Sequence, residues 1–248
     1  MSKTDDYRKT LRALHDWDTF LLSHSNLPGP RGNLELAQAA ADEGTEQQFL
    51  CWAALDAEQA PVNTPGEFLA FCGVVGLGRL LAEGRRDLLP ILRTCASDAR
   101  WRTREAVAMA LQRWGDADMD ALLDEMQRWA AGTPLEQRAA AAALCEPRLL
   151  REAHHARLVL GVLDTITASL LAAEDRRSEG LKILRQGLGY CWSVAVAALP
   201  AVGKPLMEEW LASADTDVRW IMRENLKKNR LVRMDAAWVE LLCQLEPS

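Results

Sequence analysis

Strand signals are all but missing from this 248-residue chain. No run alternates β-branched and polar residues, and no Asn-Gly or Asp-Gly turn joins two such runs, so a sheet is not expected. Paired cysteines are missing too. The six present (Cys51, Cys72, Cys95, Cys145, Cys191 and Cys243) stand singly with no C-x-x-C. Several lie in apolar helical runs, which predicts buried free thiols and a cytoplasmic location. No stretch approaches 18 uninterrupted apolar residues, and Met-Ser-Lys-Thr-Asp-Asp is not a basic segment leading into an apolar one. Neither a membrane partner nor a secretory signal is therefore expected.

Catalytic signatures are equally sparse. The four histidines (His15, His24, His154 and His155) form no H-E-x-x-H, and no G-x-S-x-G elbow occurs, so metal and nucleophilic catalysis are not expected and no cofactor is implied. "DADMDALLDEMQ" at 116–127 opens like a calcium loop, but Ala121 replaces the turn glycine and Gln127 the closing glutamate. It is read as an acid-rich helix start. "GVVGLG" at 73–78 lacks G-x-G-x-x-G order and follows no strand, which leaves close helix–helix contact as its use.

What remains is helical punctuation and tryptophan. Two Tyr and four Phe stand against nine Trp. Thr64-Pro65-Gly66-Glu67 and Thr133-Pro134-Leu135-Glu136 share T-P-x-E, which supplies an N-cap, a proline at the first helical position and an acid able to close a capping box. Thr45-Glu46-Gln47-Gln48 is a weaker version. Eleven to thirteen helices are predicted. They fall near 4–23, 34–43, 45–57, 66–83, 85–96, 99–114, 118–131, 134–144, 149–173, 178–199, 203–213, 215–230 and 235–245.

One octet occurs twice. "DARWRTRE" at 98–105 and "DVRWIMRE" at 217–224 both read D-x-R-W-x-x-R-E, 119 residues apart. On a helical wheel Thr103, Ala106, Val107, Ala110, Leu111 and Trp114 form a core stripe, whereas Trp101 falls opposite, with Arg104, Glu105, Ala108 and Gln112. In the second copy Met222 and Leu226 point inward, and Trp220 lies beside Arg223, Glu224 and Lys227. Such a tryptophan either fills a seam between repeats or lines a groove with its arginines. The binding candidates are Arg100, Trp101, Arg104, Glu105, Arg219, Trp220, Arg223, Glu224, Lys227, Lys228 and Arg230. From Arg219 to Arg233 six cations meet one anion, a net +5 within a chain of net −6, which marks a local face for an acidic partner.

"SDARWRTREAVAMALQRWGD" resembles a HEAT-repeat helix, and "TDVRWIMRENL" is similar. Arg104, Arg138, Arg185 and Arg223 recur at spacings of 34, 47 and 38, in the range of helical solenoids. The resemblance implies an all-α, right-handed solenoid of antiparallel helix pairs. Residues 64–248 would hold about five pairs, and residues 1–63 a helical cap continuous with them. It implies a non-catalytic scaffold whose concave face binds a protein or peptide. The alternative is a duplex-DNA binder resembling the HEAT-like alkylpurine DNA glycosylases, the only enzyme reading with any support. Those enzymes carry W-x-x-x-D one repeat before the arginine-bearing helix, where this chain has Phe71 and Val75.

Overall fold

The computed structural model describes residues 2–244. Among these the regular structure is entirely helical, with fifteen α-helices and two short 3-10 turns. The chain divides into two compact units, Met1–Asp118 and Met119–Ser248. The boundary expected at residue 63 falls inside the first of them.

The first unit contains α1 (Lys3–Ala13), α2 (Trp17–Ser23), α3 (Leu34–Glu43), α4 (Glu46–Ala53), α5 (Pro65–Ala82), α6 (Leu89–Cys95) and α7 (Trp101–Ala117). Helices α1, α3, α5 and α7 pack in sequence, and α5 also meets α2, α4 and α6. All but four of the 18 residues of α5 are buried. This helix is long and apolar enough to cross a membrane, yet most of it lies inside the protein. Its glycines permit that enclosure. A Cβ on Gly73 or Gly76 would collide with Phe49 of α4, and one on Gly78 with the backbone of Ala110 on α7. The 73–78 stretch is thus a close-contact stripe on two sides, because only a hydrogen atom fits between the helices.

The second unit contains α8 (Met119–Ala130), α9 (Pro134–Leu144), α10 (Ala153–Leu171), α11 (Glu179–Ala198), α12 (Pro200–Leu211), α13 (Thr216–Leu226), α14 (Asn229–Met234) and α15 (Ala236–Gln244). Two rows form. Helices α8, α10 and α12 make one, and α9, α11 and α13 the other, with α8 against α9, α10 against α11 and α12 against α13. Arg138, Arg185 and Arg223 accordingly sit on one row. Gly187 and Gly189 of α11 receive the stem of Arg138 and the ring of Trp220 at 3.3 Å from where a Cβ would stand.

The abundance of tryptophan has a physical use here. Trp114, Trp129 and Trp192 are among the largest fully buried side chains. The indole N–H gives each ring a polar handle. Trp52 donates to Asp18 at 2.8 Å, Trp129 to Glu125 at 2.9 Å and Trp192 to Thr167 at 3.0 Å. In the second unit Trp210 of α12 reaches Asp164 of α10 at 2.8 Å, and Trp238 of α15 reaches Glu208 of α12 at 2.6 Å. In these five the ring supplies apolar area while a carboxylate or the Thr167 hydroxyl keeps the N–H paired; Trp114 Nε1 is buried without a hydrogen-bond partner. Phenylalanine offers no such tether.

Several helix bounds differ from expectation. The predicted helix 4–23 breaks at Leu14, whose backbone is extended, and restarts after Asp16, whose carboxylate accepts from Thr19 N at 3.1 Å. The span 215–230 breaks at Lys228, also extended. The spans at 85–96 and 149–173 begin as 3-10 turns, Arg86–Leu88 and Pro147–Leu150. Helix α12 starts earlier than 203 because Pro200 takes its first position, and Pro205 sits inside it. The two T-P-x-E starts diverge as well. Thr133 and Glu136 close a full capping box, as do Thr45 and Gln48. Thr64 makes no side-chain cap, and its Oγ1 donates instead to Pro61 O at 2.7 Å.

Candidate functional site

The two octets do not occupy equivalent places. Arg100 is the N-cap of α7 and Trp101 its first residue. In the second copy the N-cap is Asp215, which puts Trp220 fifth in α13. The reason is local: Asp215 accepts from the backbone N–H of Asp217 at 3.0 Å and of Val218 at 3.1 Å, and so starts the helix early.

In the first copy the arginines are occupied by the fold. Arg100 is 1% exposed. Its guanidinium donates to the carbonyls of Leu55 at 2.7 Å and of Asp56 and Ala60 at 3.1 Å, and pairs with Asp98 at 2.7 Å. It satisfies carbonyls just past the end of α4, where cationic donors are favoured. Arg104 donates to Asp98 O at 2.6 Å and Ala99 O at 2.9 Å. Trp101 is 47% exposed. Neighbouring Arg102 is buried, with its guanidinium 4.5 Å from the Trp101 ring centroid and 3.0 Å from Glu67. Glu105 is half-buried. The core stripe of α7 is buried as expected, but so is Ala108 from the opposite side.

In the second copy Trp220 is half-buried between α13 and α11, lying on Gly189 with the Arg185 guanidinium 3.7 Å from its ring. Arg185 also pairs with Asp217 at 2.9 Å. Arg219 donates to Ser213 O at 2.7 Å. Arg223 is exposed, and Glu224 pairs with Lys227. That hydrogen bond holds the Glu224 carboxyl below its ordinary value of 4.5.

Three of the candidates converge. Lys227, Lys228 and Arg230, joined by Arg233, line one side of a cleft of about 770 Å³ in the second unit. Lys227 and Lys228 come from the bend between α13 and α14, and Arg230 and Arg233 from α14 itself. The floor is apolar, built by Val194, Ala197 and Ala198 of α11 with Pro147 and Leu150 of the 3-10 turn. Tyr190 completes it, 47% exposed. The Arg230 guanidinium stands 4.7 Å from the Tyr190 ring and donates to its hydroxyl. No carboxylate among the described residues lines the cleft. Among the described residues, Lys228, Arg230 and Arg233 have no acidic partner within 4.0 Å. Cations left unpaired over a low-dielectric floor focus their field into the opening.

The cleft offers cations beside apolar surface. Cys145 and Cys191, close to its lining in sequence, are buried. Burial pushes the Cys145 thiol well above its ordinary value of 9.0, the opposite of what a nucleophile requires. Among the described residues no three His, Cys, Asp or Glu side chains gather as a metal site needs. Sequence reasoning missed Tyr190, Arg102 and Glu67. Tyr190 carried one signal, a large aromatic between Gly189 and Cys191 on a strongly apolar helix. Arg102 occupies a variable position of the octet, and the T-P-x-E pattern points Glu67 to a capping box. Comparison with known proteins finds no matching family model, curated protein or solved structure.

Proposed function

We propose that this chain is a non-catalytic, HEAT-like α-solenoid protein whose second unit binds an acidic segment of a protein partner. The two rows of α8–α13, each hairpin shielding the next, support the solenoid reading. One observation carries the functional one: among the described residues Lys228, Arg230 and Arg233 have no acidic partner and line a cleft with an apolar floor and no carboxylate. An acidic peptide with apolar side chains satisfies both halves of that surface, with carboxylates to the cations and its apolar residues against Pro147, Tyr190 and Ala198.

A second reading is duplex-DNA binding. It draws on the pairing of a half-exposed ring with a guanidinium at Trp101–Arg102 and Tyr190–Arg230, a stacking arrangement that nucleic acids use. Base-excision chemistry does not accompany it, since the catalytic Trp and Asp positions of the resembled glycosylases hold Phe71 and Val75, 5% and 0% exposed.

The test is fluorescence anisotropy with a labelled Glu/Leu-rich peptide and a labelled duplex, each at about 50 and 200 mM salt. The proposal expects saturable peptide binding that weakens on the order of tenfold in a Lys228→Ala/Arg233→Ala double variant. Tight duplex binding that collapses by about 10³ over that salt range would favour the second reading. No peptide binding at either salt would overturn the first.

A further inference from the structure

We propose that the first unit carries a separate small-molecule site, a pocket for one flat bicyclic aromatic bearing a hydrogen-bond acceptor. The pocket has a volume of about 240 Å³. Two of its walls are Phe68 and Phe71 of α5, whose ring planes lie within 8° of parallel at a centroid spacing of 6.3 Å. Trp101 and Met109 of α7 face the opening from another side, and Leu34 and Gly32 come from the chain entering α3.

The dimensions set the ligand. An apolar cavity of roughly 150 Å³ accepts benzene, and drug-sized sites begin near about 300 Å³. The space between those limits suits a fused pair of rings. The aromatic walls favour a planar occupant over an aliphatic one, because π-faces stack offset or meet edge to face.

Three charged side chains also line the pocket, Arg31, Arg102 and Glu105, and the most buried of them adds orientation. Arg102 lines the pocket while only 6% exposed. Its Nη1 is taken by Glu67 at 3.0 Å and its Nη2 by Gly29 O at 2.7 Å, but its buried Nε has no hydrogen-bond partner. The guanidinium carries five N–H groups, more than Glu67 and Gly29 O take up, and a carboxylate or carbonyl on the ligand would accept from one that borders the pocket. Trp101 is otherwise hard to account for. It is the most exposed aromatic ring of the first unit, held beside a guanidinium that the fold has already fixed.

Gly32 provides the means of testing this. A Cβ built there meets Phe68 at 3.5 and 3.7 Å, ordinary van der Waals contact, and its φ is not in the left-handed region. A larger side chain at 32 fills the pocket without straining the backbone. The experiment is calorimetric titration of the full chain with 2-naphthoate, and with cyclohexanecarboxylate as a non-planar anion. Expected is saturable 2-naphthoate binding with a Kd of about 1 mM or tighter, and at least tenfold weaker binding of the cyclohexane acid. Gly32→Leu should abolish the binding with no fall in Tm, and Trp101→Ala should weaken it about tenfold. The Lys228→Ala/Arg233→Ala variant should bind as the parent does, which separates this site from the cationic cleft. Absence of saturable binding, or binding that survives both Gly32→Leu and Trp101→Ala, would overturn the proposal. So would binding lost only with Lys228 and Arg233.

Discussion

Arg104 and Arg219 make the same turn-closing bond. Each lies four residues after its helix's N-cap, and each returns Nη1 to the carbonyl six residues upstream, Asp98 O at 2.6 Å and Ser213 O at 2.7 Å. Both bonds are charge-assisted and part-exposed, so each is worth about 1–2 kcal/mol. Arg104→Met and Arg219→Met should lower stability by about that amount in urea melts. A loss below about 0.5 kcal/mol in both would show that the bond does not hold the turn.

Glu67 and Arg102 form a buried ion pair whose members are 0% and 6% exposed. Removing one member strands the other, so Glu67→Gln or Arg102→Met should cost about 3–5 kcal/mol. Replacing both by apolar residues should cost less than the sum. A double variant that loses the full sum would contradict this account of the pair, and thermal melts of the three proteins measure it.

Gly78→Ala should destabilise by about 2–3 kcal/mol, because the added methyl collides with the Ala110 backbone and α5 and α7 must part. Gly161→Ala is the control. A Cβ there meets nothing within 4 Å, so the change should be neutral or slightly stabilising on helix propensity alone. Equal melting of the two variants would be the contrary result.

Glu43 of α3 accepts hydrogen bonds from Arg12 and Arg8 of α1, and these hold its carboxyl down at about 2 against an ordinary 4.5. A folded-state value below the unfolded one adds stability that is fully present above about pH 4.5. It is lost as the pH falls toward 2. Urea midpoints taken between pH 7 and pH 3 should therefore fall less for Glu43→Gln than for the parent. Parallel curves would remove this pair from the acid response.

Thiol titration separates the six cysteines. Cys51 and Cys243 are exposed, and Cys72, Cys95, Cys145 and Cys191 are buried. Burial raises Cys72 and Cys145 well above 9.0 and Cys95 to about 11, with Asp98 adding to the last. Two thiols should react promptly with an aromatic disulfide reagent at pH 8, and four only after denaturation. Rapid reaction of more than two would require the buried positions to open.

Helix content, the core stripe of α7 and the close-contact use of Gly73–Gly78 were legible because each rests on local periodicity or on residue size. The positions of the arginines were not. D-x-R-W-x-x-R-E is one string in the sequence, yet Asp98 pairs with Arg100 before α7 starts, whereas Asp217 is already the second residue of α13. The structural offset between copies is thus 115 residues, four fewer than the textual one. Glu67 shows a similar diversion. Its Oε2 passes over Thr64 to accept from Asn63 N at 2.7 Å and binds Arg102 as well, and no local motif announces a partner 35 residues away. Tyr190 and Arg230 are 40 apart, so their meeting depends on how α11 and α14 pack.

The indole tethers of the second unit all run backward along the chain. Trp210 finds Asp164, and Trp238 finds Glu208, on helices synthesised earlier. Helices α12 and α15 therefore each meet an anchor already in place, and this part of the molecule can grow by accretion during translation. The first unit lacks that option around α5, whose enclosed surface stays uncovered until α7 has followed it out of the ribosome.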